Sequence, residues 1–208
     1  MPQFFRTQPL TDRTTSHGFA EVSSEDHCYC VWLVPAISSD IELRYRTFVD
    51  WAVCHKVDFE EMQLPTAPHI TLARGIKLKP NQSFKSVLQY IASKRKSPLN
   101  IKFGKVAIGD SFYKRVYIQV EKTPGLEELQ NAAYDLADTS DPFNVIEHPY
   151  MPVIYAKSIC SDYSTSDPIE TISSIGQASW GKACFLELIQ LNKANHQGYV
   201  CDRIEFTV

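Results

Sequence analysis

The chain has 208 residues, of which 44% are hydrophobic and 22% are charged. This balance is typical of a globular protein with a buried core, and it excludes a fibre or an unfolded polymer. No apolar run is long enough to span a membrane, and the first residues lack the apolar segment of a secretory signal. We therefore expect a soluble, intracellular protein that does not associate with a membrane.

Residues 1–26 differ from the rest of the chain. They are rich in Thr, Ser, Gln and Arg and show no apolar period, a composition typical of a mobile segment. We predict an N-terminal extension at 1–26, followed by a single two-lobed domain at 27–208.

The apolar spacing of the remaining chain predicts an alternation of strands and helices. In chain order the predicted elements are a strand at 28–34, a helix over 41–52 capped by Ser38 or Ser39, a strand around 69–72, a helix over 84–91, strands at 99–108 and 115–121, a helix that begins at Pro124, a strand at 151–158, a short helix around 168–175, and strands at 183–191 and 199–208. This pattern predicts an α+β fold whose halves have a similar order of elements, with a cleft between two sheets.

A histidine and a hydroxyl group stand two positions apart in the run 68–73, Pro-His-Ile-Thr-Leu-Ala. Side chains at i and i+2 of a strand point to the same face, so His69 and Thr71 would lie side by side. In the later run 149–155, Tyr150 stands where the histidine was and Pro152 stands where the threonine was. The two-lobed interpretation predicts one run on each wall of the cleft.

Charge is distributed unevenly, although the net charge is only -3. Between Arg74 and Lys105 there are nine basic residues and no acidic one. Such a run is usually a solvated face without a partner. Because this run begins directly after the His69 motif, attraction of a phosphate-bearing ligand is the competing interpretation.

The cysteines and tryptophans favour structural roles. Six cysteines are scattered along the chain and none forms a C-x-x-C pair, so we expect them to be reduced and packed as small hydrophobic residues. We interpret Trp32, Trp51 and Trp180 as core residues. The run Phe-Tyr-Lys-Arg-Val-Tyr at 112–117 fits cross-strand packing, but it also fits stacking on a base beside a phosphate contact.

The order of these features resembles the 2H phosphoesterase superfamily, and most closely its fungal 2′,3′-cyclic-nucleotide 3′-phosphodiesterases. The resemblance covers roughly residues 28–208. It depends on Cys-Val-Trp-Leu-Val-Pro at 30–35, Pro-His-Ile-Thr-Leu at 68–72, the run at 112–117, Gly-Leu-Glu-Glu-Leu at 125–129, the pattern His-Pro-x-x-x-x-x-Tyr at 148–155, and the closing strand pair. It implies two pseudo-symmetric lobes of antiparallel sheet with outer helices, each lobe carrying one H-x-T/S motif.

The resemblance implies a hydrolase that opens a cyclic phosphodiester without a metal or another cofactor. The substrate would be a nucleoside 2′,3′-cyclic phosphate, or the ADP-ribose 1″,2″-cyclic phosphate left by tRNA splicing. A monomer that binds a cyclic nucleotide or an RNA 3′ end is expected. Imidazole suits the proton transfers because its pKa, about 6.5, lies near the working pH.

The resemblance also implies roles for individual residues. His69 corresponds to one acid/base and Thr71 to one group that holds a phosphoryl oxygen. Tyr113 and Lys114, on the predicted hairpin loop, and Tyr155, at the end of the second motif, would hold the nucleotide.

The second motif departs from the family pattern. A phenol has a pKa of about 10 and is a poor base, but Tyr150 could act as an acid towards an alkoxide leaving group. Pro152 has neither a side-chain donor nor a backbone N–H. His148, two residues before Tyr150, could replace the lost histidine if the strand extends that far.

Two functions of different classes remain open at this point. The first is an active or impaired cyclic phosphodiesterase. The second is a catalytically inactive module of the same fold that binds a nucleotide, an RNA end or a protein.

Overall fold

The computed structural model of the protein describes residues 27–36, 40–54, 59–95, 97, 99–159, 180–192 and 198–206. The predicted extension at 1–26, the cap at Ser38 or Ser39, and the predicted helix around 168–175 all lie outside the described residues.

The described residues form nine strands and three α-helices. In chain order they are β1 (His27–Pro35), α1 (Asp40–Cys54), β2 (Phe59–Glu60), β3 (Ile70–Arg74), α2 (Phe84–Ala92), β4 (Leu99–Ile108), β5 (Val116–Val120), α3 (Pro124–Tyr134), β6 (Tyr150–Ile154), β7 (Ser158–Ile159), β8 (Trp180–Asn192) and β9 (Gly198–Glu205). Short 3-10 turns lie at Phe112–Lys114 and Pro142–Asn144. The predicted long elements are confirmed, except that the strand predicted to reach residue 158 ends at Ile154. The sequence pattern missed the two-residue strands β2 and β7, which pair with each other.

Seven strands form one antiparallel sheet that is divided into two lobes. Its order is β3-β1-β8-β4-β5-β6, with β9 also paired to β8. Residues 99–102 of β4 pair with β8, whereas residues 103–108 pair with β5. β4 therefore passes from the lobe of β3, β1, β8 and β9 to the lobe of β5 and β6. The predicted α+β fold with two lobes is confirmed, but the two lobes are halves of one continuous sheet rather than two separate sheets.

α2 and α3 begin at side-chain caps, and α3 begins at Pro124 as predicted. Ser83 accepts a hydrogen bond from the backbone N–H of Ser86 at the start of α2. Thr123 caps α3 through the N–H of Leu126, and Pro124 occupies its first turn. Proline is tolerated there because the first turn needs no backbone donor.

One large apolar core joins the helices to the sheet. Val87, Leu88 and Ile91 of α2 and Leu126 and Leu129 of α3 are buried in it. All cysteines among the described residues are free, but the predicted packing in the interior holds fully for Cys30 alone, and Cys54 is exposed. Within the same residues, no helix has the length and apolar content needed to cross a membrane.

Candidate active site

The two motifs lie on edge strands from opposite lobes. His69 immediately precedes β3, and Tyr150 is the first residue of β6. β3 and β6 stand at the two ends of the sheet order and contact each other. An edge strand also tolerates Pro152, because its missing N–H removes no hydrogen bond from a central ladder.

A β-bulge interrupts β3 directly after the motif. Trp32 of β1 opposes Thr71 and Val31 opposes Ala73, so Leu72 has no partner. An extra residue shifts the alternation of faces by one position. Leu72 and Ala73 are therefore both buried in the core, and Arg74 lines the cleft beside Thr71.

A second bulge interrupts β6 at the corresponding position. Tyr117 of β5 opposes Pro152 and Val116 opposes Ile154, so Val153 has no partner. Val153 and Ile154 are both buried in the core. Tyr155 then lines the cleft beside Pro152. In each lobe, the residue five positions after the start of the motif faces the cleft.

These two residues reach across the cleft in opposite directions. Arg74 donates a hydrogen bond from Nη2 to the hydroxyl oxygen of Tyr150, over 2.7 Å. The hydroxyl of Tyr155 lies 3.2 Å from Nε2 of His69. Each lobe therefore binds the first residue of the other lobe's motif.

The imidazole of His69 is enclosed on several sides. It stacks on Trp32 with a centroid separation of 3.5 Å and an interplanar angle of 8°. Its Nδ1 lies 2.8 Å from the carbonyl oxygen of Ala67. A carbonyl oxygen can only accept, so Nδ1 carries the proton, and Nε2 accepts from Tyr155.

Burial sets the charge state of His69. The side chain is 1% exposed. Desolvation lowers the pKa of His69 to about 3, against a smaller opposite effect of the Ala67 carbonyl, and the positive charge of Arg74 lowers it further. The imidazole is therefore neutral at pH 7, and the lone pair on Nε2 accepts from the hydroxyl of Tyr155.

A cavity of about 520 Å³ lies between the motifs. Its lining is largely aromatic and polar: Trp32, Gln63, Leu64, Thr66, Thr71, Arg74, Tyr113, Tyr150, Pro152, Tyr155, Leu191, Gly198 and Tyr199. His69 does not line this cavity: its Nε2 contacts the hydroxyl of Tyr155, which does, and its ring lines a separate, much smaller cavity with Leu33 and Met151. The volume of the larger cavity is within the range of small-molecule sites.

Two cations surround the phenol of Tyr150. Besides its bond to Tyr150, Arg74 donates from Nη1 to the carbonyl of Phe143 over 3.0 Å and lies 4.5 Å from the centroid of that ring. Lys114 Nζ lies 5.2 Å from the centroid of the Tyr150 ring. The oxygen of Tyr150 accepts from Arg74, so its own proton remains available to another acceptor.

The structure brings together most of the residues predicted from sequence. Thr71, Tyr150, Tyr113 and Tyr155 all line the cavity. Lys114 does not line it directly and lies behind the Tyr150 ring. His148 is exposed in a bend before β6 begins, and it is not a lining residue. The structure therefore does not place His148 where it could replace the lost histidine.

Trp32 and Arg74 are the lining residues missed by the sequence analysis that contact a motif residue. Trp32 is buried, as predicted, but it also lines the cavity and stacks on His69. Arg74 was noticed only as the first residue of the basic run. Simple alternation would have placed it with Ile70 and Leu72 in the core, and the bulge moves it to the cleft. The sequence did contain one signal for Arg74: it lies five residues after His69, and Tyr155, which was predicted as a site residue, lies five residues after Tyr150.

The described part of the basic run is not gathered at the cavity. Lys77 pairs with Asp138, Arg95 lies 3.9 Å from Glu128, and Lys102 pairs with Glu121. Within the described part of the run, the cavity lining includes Arg74 alone. The competing interpretation of the run as a single ligand site is therefore not supported beyond that residue.

Comparison with known proteins agrees with the fold and the motif. A model of the cyclic phosphodiesterase-like protein family matches residues 28–143, which include β1, the intact motif and the 112–117 run. The chain belongs to this cyclic phosphodiesterase-like family. The match ends before the altered motif, so membership alone does not decide what Tyr150 and Pro152 do.

Solved structures with the same fold are distant in sequence. LigT of E. coli, complexed with NADP+, is 15% identical with a TM-score of 0.56, covering 86% of this chain and 98% of that chain. The same protein complexed with 3′-AMP is 14% identical with a TM-score of 0.55, covering 88% and 100%. A protein of Thermus thermophilus, TT0787, is 10% identical with a TM-score of 0.52, covering 86% and 97%. These likenesses confirm a two-lobed 2H phosphoesterase-like fold for this family member.

Proposed function

We propose that this protein hydrolyses a five-membered cyclic phosphodiester on a ribose, using its own side chains and no metal. The substrate would be a nucleoside 2′,3′-cyclic phosphate or ADP-ribose 1″,2″-cyclic phosphate. The observation that supports this most is the His69 environment: a neutral imidazole, fixed in one tautomer, whose Nε2 contacts the cavity-lining hydroxyl of Tyr155. The E. coli structures with bound nucleotides are consistent with such a ligand.

His69 accepts the proton of the attacking water. Tyr155 lies between Nε2 and the cavity, so the proton passes through its hydroxyl: Tyr155 gives its proton to Nε2 as it takes one from water. The water oxygen bonds to phosphorus. The negative charge of the phosphodiester near the buried imidazole stabilises the resulting imidazolium, which raises its pKa during the reaction.

The leaving oxygen is protonated from the opposite wall. As the bond between phosphorus and one ribose oxygen breaks, that oxygen keeps the electron pair and takes the proton of Tyr150. The Thr71 hydroxyl donates to a phosphoryl oxygen throughout. The product is a ribose monophosphate, and proton transfer from the imidazolium to the phenolate through solvent restores the enzyme.

The altered second motif supports the alternative of an inactive binding module. Pro152 lines the cavity but offers no donor to a phosphoryl oxygen. Loss of a positioned donor costs about 10² to 10³ in rate, and loss of a general acid or base costs about 10² to 10⁴, so both losses together would leave little turnover. The two functions therefore differ in one observable, namely whether the wild-type protein turns over substrate.

The test is hydrolysis of adenosine 2′,3′-cyclic phosphate by the purified chain in the presence of EDTA. We expect turnover above the buffer rate, and a fall of about 10² to 10⁴ in kcat/KM for His69→Ala. His148→Ala is the matched control, since this exposed histidine lies outside the cavity, and it should retain wild-type activity. No turnover by the wild-type protein would refute the proposed hydrolysis of this substrate, and equal loss in both variants would refute the role of His69.

A further inference from the structure

Arg74 is a buried cation without a carboxylate partner. It is 8% exposed. None of the ion pairs among the described residues includes it. By contrast, Lys77 of the same basic run pairs with Asp138 and has 67% of its side chain exposed.

Burial of an unpaired charge is costly, so the surroundings of Arg74 must compensate for it. Its recorded partners are neutral: the Phe143 carbonyl, the Tyr150 hydroxyl, and the faces of Phe143 and Tyr113, at 4.5 and 5.6 Å. A guanidinium has five N–H donors, and these two hydrogen bonds use two of them. The cation therefore retains donor capacity and positive charge at the wall of the cavity.

The position of Arg74 in the pseudo-symmetric site indicates what it binds. It lies on the cleft face of β3, next to Thr71, and reaches across to Tyr150 of the altered motif. Pro152, two residues after Tyr150, is the point where the site lacks a donor. A guanidinium matches the geometry of phosphate oxygens through two parallel N–H groups, which a single hydroxyl cannot do.

We propose that Arg74 is the phosphate-binding residue of this cleft and replaces the donor lost at Pro152. Its ligand is the phosphoryl group of a ribose phosphate. Binding of that anion supplies the counter-charge that the protein itself does not provide. This inference builds on the proposed function for its substrate class, but the binding can be measured without any turnover.

The test uses two ligands that cannot be hydrolysed further by the proposed reaction, adenosine 2′-monophosphate and inorganic phosphate. Calorimetric titration of the full chain in EDTA compares the wild-type protein with Arg74→Met, Arg74→Lys and Lys77→Met. Lys77 is the matched control, because it lies three residues further along the same basic run and pairs with Asp138 at the surface.

We expect Arg74→Met to raise the Kd for adenosine 2′-monophosphate by about tenfold to a hundredfold, the usual effect of losing a charge-assisted contact to an anion. Arg74→Lys keeps the positive charge but lacks the two parallel N–H donors of the guanidinium. Its Kd should lie between those of the wild type and Arg74→Met. Lys77→Met should bind as the wild type does. Circular dichroism shows whether each variant is folded. If Arg74→Met does not fold, the Kd of Arg74→Lys is compared with that of the wild type instead.

Wild-type affinity in both Arg74 variants, equal weakening in Lys77→Met, or no binding of either phosphate ligand by the wild-type protein would overturn the proposal. The proposed hydrolysis can fail separately. Phosphate binding that depends on Arg74, combined with no turnover, would refute the reaction and leave this inference standing.

Discussion

His69 and Tyr150 occupy corresponding positions, yet their surroundings suit opposite proton roles. His69 is stacked on Trp32 and has lost its hydration, so it is held as a neutral acceptor. The oxygen of Tyr150 accepts a hydrogen bond from Arg74, which leaves its hydroxyl proton free to be donated. A base on one wall and an acid on the other satisfy the needs of a displacement at phosphorus without two histidines.

The lowered pKa of His69 predicts a pH-dependent stability. In the unfolded chain the imidazole titrates near 6.5, whereas in the folded protein its pKa is about 3. Between these values the unfolded chain binds a proton that the folded protein does not, so the free energy of unfolding falls as the pH decreases below 6.5. Urea denaturation at several pH values measures this slope.

The matched variants for that measurement are His69→Gln and His148→Gln. Replacing His69 removes the titrating group, so the decrease in stability between pH 6.5 and pH 4 should become smaller. Replacing the exposed His148 should leave the wild-type slope. An unchanged slope in His69→Gln would show that His69 is not held neutral by burial.

At the scale of elements, the paired bulges decide which side chains form the site. Regular alternation would place Ala73 and Ile154 in the cleft and send Arg74 and Tyr155 towards the core. With Leu72 and Val153 as the extra residues, the reverse holds in both strands. The bulges therefore supply the two residues that connect the lobes across the cleft.

Ala73→Leu tests the bulge in β3. Ala73 is fully buried in the core, so added methyl groups should overpack it and lower the free energy of unfolding by about 1–3 kcal/mol. Without the bulge, Ala73 would face the cavity, and leucine would fit there at little cost. Thr71→Val is the control, because valine has nearly the shape of threonine and residue 71 lies on the cleft face of the same strand. Urea denaturation measures the stability of both variants. Wild-type stability of Ala73→Leu would contradict the assigned face.

The long elements could be predicted because their signals are local. Apolar spacing located α2 and α3, and Pro124 marked the start of α3. Alternation within β3 gives the wrong face for Arg74, because a bulge depends on pairing between β1 and β3 rather than on the residues of β3 alone. β2 and β7 could not be predicted either, because two residues are too few to show an apolar period. The proposed replacement of the second histidine by His148 required β6 to begin earlier than Tyr150.

At the scale of the whole molecule, the motif strands β3 and β6 are edge strands, and the two lobes meet where β3 faces β6. The hydrogen bonds Arg74–Tyr150 and Tyr155–His69 join these edges. Binding a phosphoryl group between them places the ligand in contact with both lobes at once. The site therefore depends on the relative position of the lobes, which the continuous strand β4 helps to fix.

The central claim is that one intact motif and the Arg74–Tyr150 pair make a working site. It is tested most directly by kcat/KM for adenosine 2′,3′-cyclic phosphate, in EDTA, for the wild-type protein, Tyr150→Phe and Tyr117→Phe. Tyr117 is a neighbouring phenol whose ring contacts that of Tyr150 and which does not line the cavity. We predict turnover by the wild type, a fall of about 10² to 10⁴ in Tyr150→Phe, and no change in Tyr117→Phe. Wild-type kcat/KM in Tyr150→Phe, or no turnover by the wild-type protein, would contradict the claim.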